Sequence, residues 1–428
     1  MTANFKSRAP TIVIMARLQP EVNGGVEQAV AGTIAGLGCL TDGDEQYIVV
    51  TDPAAPNWLD SYVGPNTRVV VAPESQWRIQ ARRLIRPILP AAQAAYGLVR
   101  QARSRATTPP WIVASYDPFV EALQAHVVHF PYQWLHLTSA PSVFNPQDVQ
   151  HIHHPEFFDK RTKAFRQHMY ALWLNTCTEV EVPSYASKDD LVRYLDVPTE
   201  KIMVVPKASP TELAPPLDAY TLSSIRQNYD LPKFFVLFPA QTWPHKNHIR
   251  LFEALAFLRD EHNLCLPLVC TGYQNNFWPT LKAKLQELQL TQQVRFLGFI
   301  PSNHVCALYH LAEFTVFPTL FEGGGFPLLE AFRERSPIAC SHIPVLVEQA
   351  GNAAAFFDPA SIEDIARALL QLHNDSVMRD QLCERGIVRL RQYSWDHTAR
   401  TYRALYRRLG GYPVTAEDST LIEAASRG

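Results

Sequence analysis

The sequence has no C-x-x-C pair, and its seven cysteines are odd in number and scattered, at 39, 177, 265, 270, 306, 340 and 383. That excludes a zinc ribbon and a disulfide framework, and a reducing cytosol fits best. No apolar run approaches the ~20 residues that a membrane span requires. The opening MTANFKSRAP has no apolar core behind its charges, so no signal peptide is expected. Neither sign of charge is in excess. Basic residues number 39 and acidic residues 41, a formal net charge of −2. A whole-chain nucleic-acid footprint is excluded, and no nucleic-acid partner is expected. What is present is an ordinary globular composition, 47% apolar and 19% charged over 428 residues. It rules out a disordered chain. At roughly 100–200 residues per domain the length predicts two or three domains. Cores of that size need no metal or disulfide staple.

Short β-rich runs alternate with helical patterns for most of the length. Strands are predicted at 12–16, 47–50, 68–71, 126–130, 142–144, 180–182 and 202–205, with a helix over 26–37 after Asn23-Gly24-Gly25. The rhythm pauses over 209–231, where prolines at 210, 215, 216 and (just beyond) 232 read as a linker with a short helix. It then restarts, with strands at 234–238, 266–271, 294–297 and 314–317 between helices at 249–259, 278–288 and 304–311. Strands alternating with helices predict parallel sheets with crossover helices. Residues 362–409 read as mostly helical, and the tail beyond Gly410 as frayed.

The stretch between Glu74 and Asp117 holds no acidic residue but seven arginines, at 78, 82, 83, 86, 100, 103 and 105. Leu84, Ile85, Ile88, Leu89, Tyr96, Leu98 and Val99 are interleaved. Such a basic amphipathic stretch suits an anionic membrane surface. The same pattern also describes a solvated loop and helix with nothing bound.

The segment richest in chemistry is Thr319-Leu-Phe-Glu322-Gly-Gly-Gly-Phe326-Pro327-Leu-Leu-Glu330. A strand runs into a glycine-rich loop and then a helix, with Pro327 suited to the helix start. Glycines admit a close ligand, and unsatisfied N–H groups at a helix start favour an anion. The two carboxylates suit ligand hydroxyls better than phosphate. A plain flexible turn beside a surface glutamate is the alternative. The run Pro244-His245-Lys246-Asn247 stands at a helix entrance above the same sheet, where a lysine can neutralise phosphate.

Taken together, Glu322-x7-Glu330, the runs 336–341 and 350–354, Pro-His-Lys-Asn and Phe296-Leu297-Gly298-Phe299 resemble the donor-binding half of family-4 retaining glycosyltransferases. Gly24-Gly25-Val26-Glu27 resembles their loop after the first strand, and 184–191 and 204–206 the end of their first domain. The resemblance implies an α/β GT-B fold of two facing Rossmann-like domains. Expected boundaries are an acceptor-binding domain over 1–207 and a nucleotide-sugar-binding domain over 208–395. Residues 396–428 would be a C-terminal helix that crosses back to the first domain, plus the tail.

By match to the motifs, Lys246, Glu322 and His151 are the expected catalytic residues. Gly24, Gly25, Gln241, Lys246, Gly324, Gly325, Phe326 and Glu330 are expected to contact the donor. Glu330 would hold the ribose hydroxyls, Glu322 the sugar hydroxyls and Lys246 the leaving diphosphate. No metal and no resident cofactor are expected, since cationic stabilisation of the diphosphate can replace a divalent ion. Two positions depart from the family pattern. Gln241 stands where an arginine is usual, and Gln147 where a histidine is usual in the run 146–155.

The implied reaction is retaining transfer of a hexosyl group, first of all mannose from GDP-mannose, to a glycan or lipid-linked glycan. The mannose assignment rests on the Pro-His-Lys-Asn-His variant, which looks like bacterial surface-polysaccharide mannosyltransferases. Placement in the cytoplasm, peripheral at the inner face of the plasma membrane, follows from the 78–105 stretch. Alternatives are a GT-B-like nucleotide-sugar epimerase and a non-catalytic glycan-binding or scaffold protein, the latter favoured by Gln241 and Gln147.

Overall fold

The computed structural model describes residues 9–19, 24–73, 116–213 and 217–427. The basic stretch 78–105 lies outside the described residues. With only the main helices numbered, the first half runs β1 (Thr11–Ala16), α1 (Gly25–Cys39), β2 (Gln46–Thr51), β3 (Thr67–Val71), β4 (Val127–Phe130), β5 (Ser142–Phe144), α2 (Lys160–Thr176), β6 (Glu179–Val182), α3 (Tyr185–Leu195) and β7 (Ile202–Val204). These strands form one sheet in the order β3-β2-β1-β4-β5-β6-β7, parallel at every junction.

The second half begins with α4 (Ala219–Asn228), β8 (Val236–Pro239), α5 (His248–His262), β9 (Leu268–Thr271), α6 (Trp278–Glu287), β10 (Val294–Phe296) and α7 (Ser302–Leu311). It continues through β11 (Phe314–Phe317), α8 (Phe326–Arg333), β12 (Ile338–Ser341), α9 (Pro344–Ala350) and β13 (Ala355–Phe357). The helices α10 (Ile362–Asn374), α11 (Ser376–Leu390), α12 (Trp395–Gly410) and α13 (Ala416–Ser426) close the chain. The second sheet has the order β10-β9-β8-β11-β12-β13 and is again parallel. The alternation in the sequence did not single out β12 and β13. Both are short and embedded in runs read for their motif content.

Strands buried on both faces need apolar residues at odd and even positions alike. β1 shows how this is met. Val13 and Met15 face a cluster that includes Tyr170 and Trp173 of α2. Ile12 and Ile14 face the opposite way, into a cluster with Tyr402, Leu405 and Tyr406 of α12. One layer of the first sheet is therefore supplied by a helix from the far end of the chain. α12 also lies along α1, where glycines admit it. A Cβ on Gly32 would collide with the indole of Trp395, and one on Gly36 would come 2.7 Å from the Trp395 carbonyl. Gly32→Ala is expected to destabilise the fold by about 1–3 kcal/mol, because the buried ring has nowhere to move. A thermal melt matching wild type would contradict this packing.

The expectation of a frayed tail is corrected. α13 begins with a capping box in which Thr415 and Asp418 satisfy each other's backbone N–H groups. Arg407 of α12 donates to the Asp418 carboxylate at 2.9 Å, which fixes the helix against its neighbour. The Thr-x-x-Asp signal stands in the sequence, and a tight capping box of this kind is enough to start a helix.

In each sheet the strand order reverses once, between β1 and β4 and between β8 and β11. At such a point the loops leaving neighbouring strands diverge to opposite faces and open a crevice at the carboxyl ends. The two crevices meet in one cavity of about 720 Å³, lined by both halves. That volume suits a ligand of nucleotide-sugar size.

Candidate active site

The second-domain wall is built from the loops after β8 and β11, and backbone bonds tie the two together. Leu320 N–H donates to the His245 carbonyl at 2.8 Å, and Thr319 Oγ1 reaches the same carbonyl at 3.2 Å. Pro244–Lys246 forms a single 3-10 turn, ended by Asn247 in the left-handed region at φ 63°. Asn247 is a residue type that tolerates this conformation. Its side chain donates to the Pro318 and Pro359 carbonyls, each at 2.9 Å. This scaffold brings Lys246 Nζ to 2.6 Å from Glu322 Oε1. Both side chains are only partly exposed and line the cavity.

Glu330 sits in the second turn of α8, buried, with its carboxylate accepting from the Tyr309 hydroxyl at 2.8 Å. Burial pushes its pKa up to about 7, against the Tyr309 hydrogen bond and with help from nearby Glu334. A carboxylate that binding must desolvate no further suits the hydroxyls of a sugar ring. His245, on the same cavity wall, goes the other way. Burial beside Lys246 holds it neutral, with a pKa lowered to about 2.

The glycine-rich loop is less open than the sequence suggests. Gly325 N–H, expected to meet the donor, donates to Gln349 Oε1 at 2.9 Å. Gly324 and Phe326 line the cavity. Gln241 also lines it and accepts from the Trp243 indole N–H at 2.7 Å. A Cβ on Gly24, whose φ is 53°, would stand 3.0 Å from the Gln241 amide nitrogen. One on Gly25 would touch the Phe326 ring at 3.4 Å. Gly24 and Gly25 thus let the first domain close onto the second. Gln241 brings no charge, and the other described cations on the wall are Lys207 and Arg166, both already paired.

His151 is not brought to the cavity. Its ring lies edge-on to Tyr170 and Phe158, and neither ring nitrogen has a hydrogen-bond partner. Burial, with Arg166 adding to it, lowers its pKa to about 4. The short helix Gln150–His153 turns the ring inward. The same run reaches the cavity through Gln147 and Asp148. Gln147, at φ 66°, donates from its amide to the Pro131 carbonyl at 2.9 Å. Asp148 faces Arg166 at 3.5 Å, and burial still raises its pKa, with Glu322 across the cavity contributing.

Sequence reasoning missed a buried polar cluster at the floor. Glu181 of β6 accepts from Asn145 at 2.5 Å and pairs with Lys207 at 3.2 Å. His129 donates or accepts at the Tyr406 hydroxyl at 2.7 Å, and Lys207 meets the Tyr402 hydroxyl. Burial pushes the Glu181 carboxylate up, but Lys207, His129 and Asn145 outweigh it and hold the pKa below its ordinary value. The signal was Glu-Val-Glu-Val across the strand predicted at 180–182, since a carboxylate inside a strand of a sheet covered on both faces requires a partner.

Residues 223–389 match the glycosyl transferases group 1 family. The chain is 26% identical over 285 residues to O-antigen chain mannosyltransferase B of Escherichia coli, covering 65% of this chain and 74% of that one. It is 28% identical over 230 residues to the serotype-specific mannosyltransferase WbdA of the same species, covering 50% of this chain but 27% of WbdA. The chain thus spans only about a quarter of WbdA's length. Sucrose-phosphate synthase from Thermosynechococcus elongatus superposes with a TM-score of 0.68 at 16% identity, over 94% of this chain and 99% of that one. Anabaena HepE, solved with UDP and glucose, gives 0.66 at 14% identity, over 93% of this chain and 100% of that one. The protein is a glycosyltransferase of GT-B fold, and it resembles O-antigen mannosyltransferases. Among the described residues of this glycosyltransferase, no helix is long and apolar enough to cross a membrane.

Proposed function

We propose that the protein transfers a hexosyl group, mannose from GDP-mannose first of all, to a glycan or lipid-linked glycan with retention of configuration. The Lys246–Glu322 pair, 2.6 Å apart at the mouth of the glycine-rich loop, is the observation that carries the reading. A cation and a carboxylate held together there match the two ends of a glycosyl phosphate. Lys246 takes the diphosphate, and Glu322 takes hydroxyls of the sugar. Glu330 takes the ribose hydroxyls. The acceptor hydroxyl replaces the diphosphate at the anomeric carbon, and its proton leaves with the diphosphate. As that bond breaks, negative charge gathers on the diphosphate, where Lys246 and the N-terminus of α8 stabilise it. In this reading no resident cofactor is required. His151 would act only at one remove, behind Gln147 and Asp148.

Mixing the protein with GDP-mannose and an acceptor glycan is expected to release GDP and give an α-linked product. Tight binding of GDP is expected to raise the melting temperature by mass action. An inverted product would overturn the retaining mechanism. Binding of a UDP- or ADP-sugar in place of GDP-mannose would overturn the donor. Conversion of the nucleotide sugar into its epimer, with no glycosylated acceptor, would favour an epimerase, and neither release nor conversion a scaffold.

The acceptor end of the reading draws on the basic stretch 78–105. An anionic leaflet attracts each nearby arginine by ~1 kcal/mol. The protein is expected to sediment with anionic vesicles at low salt and to leave them as salt screens the charges. Protein that stays in the supernatant at low salt would point to a soluble acceptor.

A further inference from the structure

The glycine-rich loop is held from both sides of the cleft. On the first-domain side, Ser187 Oγ donates to the Gly323 carbonyl at 3.1 Å. Ser184 Oγ lies 3.3 Å from the same carbonyl and 2.9 Å from Ser187 Oγ, with one proton to give to either. Both serines are buried at the start of α3, where Ser184 also caps the helix by accepting from Ser187 N–H. On the second-domain side, consecutive residues of α9 point opposite ways. Glu348 crosses to α3, its carboxylate accepting from the N–H groups of Tyr185 at 2.9 Å and Ala186 at 3.0 Å. Gln349 turns back to the loop and accepts from Gly325 N–H.

Each contact answers an electrostatic need. The first N–H groups of α3 have no partner within the helix, and a carboxylate is the favoured group at that positive end. The Gly323 carbonyl points away from the cavity into the serines, so the loop's orientation is fixed by the first domain. There is no room for slack. A Cβ on Gly323 would stand 2.8 Å from the Gln147 carbonyl, and one on Gly324 would stand 3.4 Å from Pro183. The far end of α3's first turn is tied as well. Tyr185 Oη donates to the Ala424 carbonyl at 3.3 Å, and Lys188 Nζ to the Ser426 carbonyl at 2.7 Å, both on α13.

We propose that Ser184, Ser187 and Glu348 are positioning residues for transfer, which set the 323–325 loop and the adjoining Glu322 against the substrate through the joint between the two domains. None of them lines the cavity, so they act through the loop. The proposal rests on the reading of that loop as the donor site. It also makes the joint and the site one unit, since a loop clamped by both domains has its working shape only when they are together.

Ser187→Ala removes one hydroxyl, and Glu348→Ala removes the crossing carboxylate. In either variant, amide hydrogen exchange over 322–326 is expected to speed about tenfold, the scale of one lost hydrogen bond, while exchange in the strands is unchanged. The turnover number is expected to fall about tenfold or more. GDP affinity should fall less than turnover, because the Glu330–Tyr309 ribose contact does not touch the joint and charge on the diphosphate grows only in the transition state. Glu348→Gln, which keeps one acceptor oxygen, should fall between wild type and Glu348→Ala. Unchanged loop exchange, or faster exchange with wild-type turnover, would overturn the proposal. So would a loss of turnover matched by equal losses of GDP affinity and melting temperature. A wild-type protein that binds no nucleoside diphosphate would instead sink the functional reading. The exchange experiment would still report whether the joint holds the loop.

Discussion

Lys246→Ala is expected to lower the turnover number by about 10- to 150-fold while changing nucleoside-diphosphate affinity far less. The range corresponds to ~1.5–3 kcal/mol for one charged hydrogen bond. The asymmetry follows from where charge grows. A bound diphosphate already shares its charge over several oxygens, but bond breaking adds charge to the oxygen that leaves. A cation near it therefore stabilises the transition state more than the ground state. Removing the ammonium also leaves Glu322, 2.6 Å away in the native pair, facing the diphosphate uncompensated. Lys246→Ala and Glu322→Ala are consequently expected to be non-additive, the double variant losing less than the product of the two single losses. Single-turnover kinetics and nucleotide titrations on the three variants check this. Equal losses in turnover and affinity would mean that Lys246 only binds.

Glu330→Gln is expected to weaken nucleotide binding and, above neutral pH, to make the protein more stable. Burial holds this carboxyl's pKa at about 7 in the folded chain, against 4.5 in the unfolded one. Between those values the folded chain holds a proton that the unfolded chain releases. Stability from this group is therefore fully present below about pH 4.5 and is lost as pH rises through about 7. By pH 8 the loss is on the order of 3 kcal/mol. Glutamine cannot ionise and keeps an oxygen for the Tyr309 hydroxyl, so the variant escapes the loss. The melting temperatures should coincide near pH 4 and diverge by pH 8, with the variant higher. The ionised carboxylate is also what ribose hydroxyls need. GDP affinity of the native protein should therefore fall as pH drops from 8 towards 6, beyond any fall seen in Glu330→Gln. A variant with native affinity and the same pH profile would remove Glu330 from the ribose site.

Stability and function are thus tied together at Glu330. A carboxylate buried in α8 without a cationic partner destabilises the free protein at working pH. Such strain is characteristic of ligand sites, where the ligand relieves it.

The sequence by itself determined the architecture. Two runs of strand–helix alternation separated by prolines predict two parallel sheets, and both sheets are there. Glu322, Glu330 and Lys246 were legible for a local reason. Each stands a fixed number of residues beyond a strand end, and parallel sheets put all such ends on one side. α13 was legible too, in Thr415-x-x-Asp418, though it was read as a frayed tail. Tertiary structure alone decided the rest. The return of α12 to the first domain was expected from the family resemblance alone, since any amphipathic helix shows the same stripe, and only the fold shows that it buries Tyr402 and Tyr406 against β1. His151 stands in the run that resembles the family's cleft segment, yet its ring packs on Tyr170, since the short helix Gln150–His153 turns it inward while Gln147 and Asp148, ahead of that helix, face the cavity. The Glu348 carboxylate on α3, the serines on the Gly323 carbonyl and Lys207 on Glu181 join residues far apart in the chain. Their energies depend on distance and burial, which a sequence does not carry until the chain has folded.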